Sequence, residues 1–283
     1  AKECIPTGHF FNQKILHMNW LLFVIVIIVF DAVRSKHFYG GTISWIPLNN
    51  NDTTLPIEIL ITQTYMYKIG ELSADGTPRT CTMGSLLPYP SLQLKCTGNC
   101  ASSGGYQSLP ISTFVTGSSP TLDICYSQRT DLVNLTNINA YFTVTYGTDP
   151  NSAYTYRSLS TTLTSTTTTA NWNLSTVIDI RRQSNGLINT PPVANLMSPY
   201  GIPYNKRISI PIPTSDIDGD DVRCRWSSGS LECGEVCFPS TIPSTTTLSS
   251  DCVLNITGLS YSVWYCAAIQ VDKAHLSCLL IFY

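Results

Sequence analysis

Ala140-Tyr-Phe-Thr-Val-Thr-Tyr146 places Ala140, Phe142, Val144 and Tyr146 on one side of an extended chain and Thr143 and Thr145 on the other. That period of two is the signature of a half-buried β-strand. Outward from it, residues 41–45, 57–67 and 122–126 carry similar β-branched and aromatic runs. The intervening Asn49-Asn-Asn-Asp52, Ala74-Asp-Gly-Thr-Pro78, Cys100-Ala-Ser-Ser-Gly-Gly105 and Tyr146-Gly-Thr-Asp-Pro-Asn151 supply the residues that tight turns need. A second group of strands is expected at 208–212, 222–226, 252–256 and 263–271, and no segment carries a useful helical period. The Thr-rich residues 159–170 read as a strand plus loop, with an O-glycosylated patch as the alternative.

Two domains are expected. Ser184-Asn-Gly-Leu-Ile-Asn-Thr-Pro-Pro192 extends a chain but cannot continue a ladder through its middle, because proline lacks the N–H. The fold class is therefore all-β, with two disulfide-bonded β-sandwich domains at residues 36–187 and 188–283, preceded by a helical signal peptide. At 283 residues the chain is long enough for two cores. With 12% charged residues and a net charge of -2, it offers neither the basic footprint nucleic acid requires nor a tract for anionic lipid.

The export expectation rests on Trp-Leu-Leu-Phe-Val-Ile-Val-Ile-Ile-Val-Phe at residues 20–30, an apolar run of 11. A membrane-spanning helix needs about 20. Preceded by Met18 and followed by Val33-Arg34-Ser35, the run reads as a signal peptide at 18–35, the alternative being a signal anchor. Residues 1–17 then belong to an upstream segment and stand outside fold reasoning. Cys4 falls there too, leaving ten cysteines in two groups separated by 98 residues. Cys81, Cys96, Cys100 and Cys125 form the first group; Cys224, Cys233, Cys237, Cys252, Cys266 and Cys278 form the second. Even counts in each group are what disulfide-bonded domains of an oxidising compartment show, with the pairing left open. Cys96-Thr-Gly-Asn-Cys100 and Cys233-Gly-Glu-Val-Cys237 have zinc-like gaps but no nearby histidine, so they too read as disulfides. Sequons at Asn51, Asn134, Asn173 and Asn255 agree with a secreted glycoprotein.

The segment Thr214-Ser-Asp-Ile-Asp-Gly-Asp-Asp-Val-Arg-Cys-Arg-Trp226 puts Asp216, Asp218, Asp220 and Asp221 within six residues. It departs from the EF-hand spacing. Two readings stand: a tight turn whose carboxylates accept backbone amides, and a structural Ca²⁺ site at Asp216, Asp218 and Asp220. Cys224 and Trp226, two residues apart on a strand, share one face, so Trp226 is expected to pack beside its own disulfide. No other cofactor is indicated. His9 and His17 lie in the excluded upstream segment, His37 and His275 have no Ser or Cys nucleophile near them in sequence, and no hydrolase, metalloprotease, phosphate-loop or dinucleotide motif occurs.

His37-Phe-Tyr-Gly-Gly-Thr-Ile-Ser-Trp45, together with Asp216-Ile-Asp-Gly-Asp-Asp-Val-Arg-Cys-Arg-Trp226 and Glu232-Cys-Gly-Glu-Val-Cys237, resembles a group of invertebrate extracellular proteins. Their β-rich N-terminal region precedes a cadherin-like or immunoglobulin-like module. The resemblance spans residues 36–271 and implies an adhesive or matrix module on the outer face of the plasma membrane or in secretion, with no enzymatic activity. The implied partner is an extracellular protein or a glycan, with membrane contact only through an uncleaved anchor or a missing C-terminal region. The alternative function is a secreted carbohydrate-binding protein or hydrolase with its site in the first domain. The chain departs from the pattern at His275-Leu-Ser-Cys-Leu-Leu-Ile-Phe-Tyr283, where an abrupt apolar ending is read as a truncated last module.

Overall fold

A computed structural model describes residues 38–70, 80–87, 92–147, 160–161, 168–169, 172–195, 199–259, 265–272 and 276–282; at 38, 160–161, 168–169, 272 and 276–282 the description is of backbone alone. The expected signal peptide, the four histidines and Cys4 lie outside the described residues. Residues 36–283 form one compact unit.

The first part of the chain supplies β1 (Phe38–Pro47), β2 (Ile57–Lys68), β3 (Leu86–Leu87), β4 (Gln93–Gly98), β5 (Leu109–Pro110), β6 (Thr113–Ser119), β7 (Ile124–Leu135), β8 (Tyr141–Gly147), β9 (Ser160–Thr161), β10 (Thr168–Thr169) and β11 (Asn173–Asp179). The second part supplies β12 (Val193–Ala194), β13 (Arg207–Pro211), β14 (Thr214–Ser215), β15 (Arg223–Trp226), the one-turn helix α1 (Gly229–Glu232), β16 (Thr247–Leu248), β17 (Val253–Thr257), β18 (Tyr265–Asp272) and β19 (Leu276–Phe282). Each of the eight segments expected as strands coincides over most of its described length with a strand. The protein is all-β, as its alternating pattern and turn chemistry require.

The main sheet runs β3-β6-β7-β2-β1-β19-β11-β8-β4-β5, with β18 on the far edge of β19 and β15 beyond it. It curls over its own core. Tyr65 of β2 meets Tyr146 of β8 edge-on with ring centroids 5.0 Å apart, and Tyr146 in turn meets Trp172 at 5.1 Å. The Trp45 indole donates to the Val177 carbonyl across β1 and β11 at 2.8 Å, and Gln63 on β2 donates to the Pro110 carbonyl of β5. Gly41 makes the fold-back possible at β1, since a Cβ there would stand 2.4 Å from the Thr64 carbonyl oxygen and 2.7 Å from the Tyr65 ring.

The buried side chains separate into two cores. The first gathers residues from β1 to Ile188 together with Cys233, Val236, Cys266 and Ala268 from the second part of the chain; the second gathers Ile210, Ile212, Leu254 and Ile256 around the Cys224–Cys252 disulfide. Strand β18 is the wall between them: Cys266 and Ala268 face the first core, while Tyr265, Ala267, Ile269 and Val271 face the second. A strand buried on both sides is mostly apolar and small where the layers crowd, which Tyr-Cys-Ala-Ala-Ile supplies, with buried Gln270 as its polar exception. The terminal apolar run read as an abrupt ending is β19, paired along one edge with β18 and along the other with β1 and β11.

Candidate functional site

Four disulfides join Cys81 to Cys125, Cys96 to Cys100, Cys224 to Cys252 and Cys233 to Cys237. The first group of cysteines thus pairs internally, and both short-gap pairs are disulfides. In the second group, Cys266 is buried on β18, and the backbone register sets Cys278 opposite Ile269. Trp226 packs in the second core with Cys224, as their spacing predicts, and stacks on Phe238 with centroids 4.4 Å apart.

The acidic turn after β14 is a self-capping structure. The Asp216 carboxylate accepts the backbone N–H groups of Asp218 (2.9 Å) and Asp220 (3.1 Å) through Oδ1. Gly219, at φ 77°, takes the left-handed conformation that reverses the chain. Asp218 Oδ2 accepts the Thr190 N–H at 2.6 Å, tying the turn to the Pro191-Pro192 segment. Asp221 faces outward and pairs with Arg223 at 2.6 Å. Among the described residues, no three His, Cys, Asp or Glu side chains are grouped as a metal site.

Opposite this turn stands the end of β1 and its Asn49–Asp52 turn. The Asn50 carbonyl accepts the Ile188 N–H at 2.9 Å, and the Arg182 guanidinium donates to the carbonyls of Asp52 and Gly186. Thr54 donates to Asp52 Oδ1 through both its N–H and its hydroxyl, which hold the Asp52 carboxyl below its ordinary pKa. These bonds fix two rims of an open groove of about 770 Å³. One wall is Ile46, Pro47 and Leu48; the other is Pro191, Val193 and Ile217. Leu48 is 54% exposed, Val193 37% and Ile217 83%, although three branched apolar side chains so near each other would ordinarily be covered. Asp216 and Asp218 line the same groove, with no Lys or Arg among its lining residues. Asp216 Oδ2 is shielded from solvent and accepts no hydrogen bond.

Sequence reasoning reached the acidic rim but not the apolar one. Ile46, Leu48, Val193 and Ile217 lie up to 171 residues apart in the chain, and only strand pairing assembles them. A smaller hollow of about 320 Å³ lies beside Phe114 and Arg129, but that guanidinium is already held by Asp131 at 2.7 Å, which raises the Arg129 pKa.

The sequons differ in setting. Asn51 and Asn134 are exposed, the first in the turn after β1 and the second on the outward face of β7. Asn255 accepts the Ser209 hydroxyl at 2.6 Å. Asn173 donates its side-chain amide to the Ser230 carbonyl and lies over Gly147, where a Cβ would strike its Oδ1.

Comparison with protein-family models, curated proteins and solved structures returns no match.

Proposed function

We propose that the chain is a non-enzymatic recognition module of the extracellular space, secreted or held at the outer face of the plasma membrane. It would engage a protein partner through the groove between the β1 end and the acidic turn. The observation that carries this reading is the exposed apolar triad of Leu48, Val193 and Ile217 on a frame fixed by cross-rim hydrogen bonds. A preformed surface loses little order on binding, so its exposed apolar area is available as affinity. The four disulfides support an oxidising compartment. We read the two cores as two sandwich domains sharing β18 as a common wall, the adhesive-module organisation implied by the Asp-x-Asp-Gly-Asp turn.

Calcium at Asp216, Asp218 and Asp220 is a separate proposal. Asp216 Oδ1 and Asp218 Oδ2 already accept amides, so the turn has a structural explanation without an ion. Thermal unfolding in calcium and in chelator decides it, because an ion bound only to the native state raises Tm.

Fluorescent tetramers of the protein, read by flow cytometry on cultured cells, test the recognition reading. Binding that is lost in Leu48→Asp and Ile217→Asp but kept in Leu132→Asp, at an exposed position on β7, supports it. Turnover of a substrate in a general hydrolase panel, or binding indifferent to both groove variants, overturns it.

A further inference from the structure

We infer that the groove takes an extended peptide segment with apolar side chains flanking one Lys or Arg, whose cation is received by Asp216 and Asp218. This rests on the recognition reading and names its ligand chemistry. The groove is chemically two-sided: Leu48, Val193 and Ile217 give it apolar walls, and the two carboxylates give its acidic end a formal charge without a basic residue in the lining. Neighbouring acids are compensated, Asp179 by Arg181 and Asp221 by Arg223, each at 2.7 Å or less. Asp216 and Asp218 enter no salt bridge among the described residues.

The orientation of those carboxylates is set before any ligand arrives. Asp216 Oδ1 is committed to two backbone amides and Asp218 Oδ2 to a third, so both carboxylates are held in place. Asp218 is exposed, so a cation entering the acidic end meets its carboxylate, while the shielded Asp216 Oδ2 beside it, accepting no hydrogen bond, adds its charge from beneath the surface. A Lys ammonium or Arg guanidinium is a donor of matching charge carried on an apolar stem, and that stem suits a passage lined by leucine, valine and isoleucine. A neutral hydroxyl-rich glycan would match neither the apolar walls nor the charge.

The test is panning of a phage-displayed random decapeptide library on the intact protein, with enriched peptides resynthesised and titrated by fluorescence anisotropy. The expected consensus is a single Lys or Arg with apolar residues at neighbouring alternate positions. Replacing that cation by Glu abolishes binding, and Asp216→Asn and Asp218→Asn each weaken it roughly tenfold or more, the scale of one charge-assisted hydrogen bond. Both Asn variants keep an Oδ1 that accepts the turn amides, so they remove charge while sparing the fold; an unchanged Tm verifies this. Affinity also falls from low to high salt, since the site opens to solvent. Apolar peptides lacking a cation, bound in a manner sensitive to Leu48→Asp but not to the Asn variants, overturn this inference and leave the recognition reading standing. Peptides indifferent to Leu48→Asp, Ile217→Asp and both Asn variants overturn both. Binding that requires calcium and vanishes in chelator overturns the cation claim by assigning the carboxylates to a metal.

Discussion

Tyr65 and Gln63 are two residues apart on β2, both fully buried, and the Tyr65 hydroxyl donates to Gln63 Oε1 at 2.8 Å. Gln63 passes the connection on through its amide N–H, which reaches the Pro110 carbonyl at 3.2 Å. Tyr65→Phe removes the donor and strands a buried amide oxygen, so the expected cost is about 1–3 kcal/mol. Gln63→Met removes the acceptor of the tyrosine hydroxyl and the donor to the Pro110 carbonyl together, so it costs at least as much. The double variant still lacks the bond to Pro110 but leaves no buried amide oxygen facing an absent hydroxyl, so it costs clearly less than the sum of the singles. Urea unfolding followed by tryptophan fluorescence measures all four corners of the cycle. The same tyrosine gives a pH signature. Burial, with smaller contributions from Tyr146 and Tyr106, raises its pKa well above the ordinary phenol value. The folded state therefore holds the proton while the unfolded chain releases it near pH 10. Stability from this source is complete below pH 10 and declines as pH rises further, by on the order of 1 kcal/mol by pH 11. Tyr65→Phe makes that alkaline decline shallower. A single-variant cost under about 0.5 kcal/mol, additive singles, or an unchanged alkaline slope would refute the buried pair.

Opening the Cys81–Cys125 link by paired Cys→Ala substitution should cost about 4 kcal/mol, against about 2 kcal/mol for Cys96–Cys100, since the sequence separations are 44 and 4; equal costs in urea unfolding contradict the pairing. Ala267→Leu and Ala268→Leu should each destabilise by about 1–3 kcal/mol, one overfilling the second core and the other the first; a neutral result at either would mean that β18 has an open face. In protein secreted from glycosylating cells, peptide mapping should find glycan at Asn51 and Asn134 and none at Asn173, whose amide is committed to Ser230; occupancy of Asn173 would displace α1 from β11 and sink this placement.

Strand locations were largely legible because side-chain alternation is local, but strands with little apolar content escaped notice. In β4, Gln-Leu-Lys-Cys-Thr-Gly buries only Leu94 fully, and β6 trails into Gly-Ser-Ser. Both are held by ladder hydrogen bonds to better-marked neighbours, β4 to β8 and β6 to β7, so their own composition carried little signal. The polar interior of the first core was equally silent. Gln63, Thr113 and Ser127 are buried because they answer one another and the backbone, Thr113 donating to the Ser127 hydroxyl at 2.8 Å, and these answers come from 14 to 62 residues away.

The groove shows the same limit. An acidic turn advertises itself in sequence, because Asx turns need Asp and Gly in close succession. Its neighbours do not: Leu48 at a strand end and Val193 after a Pro-Pro pair look like ordinary core residues until the fold leaves them uncovered. The Asp218–Thr190 bond connects the two kinds of information. It anchors the turn to the Asn-Thr-Pro-Pro segment, so the acidic and apolar rims stand together where the chain leaves the strands of its first part for those of its second. A binding surface built at such a crossing depends on both cores being folded, and so the groove exists only when Asn50 has met Ile188 and Val193 has met Ser215. Recognition is thereby coupled to completion of the whole fold and not to any one of its strands.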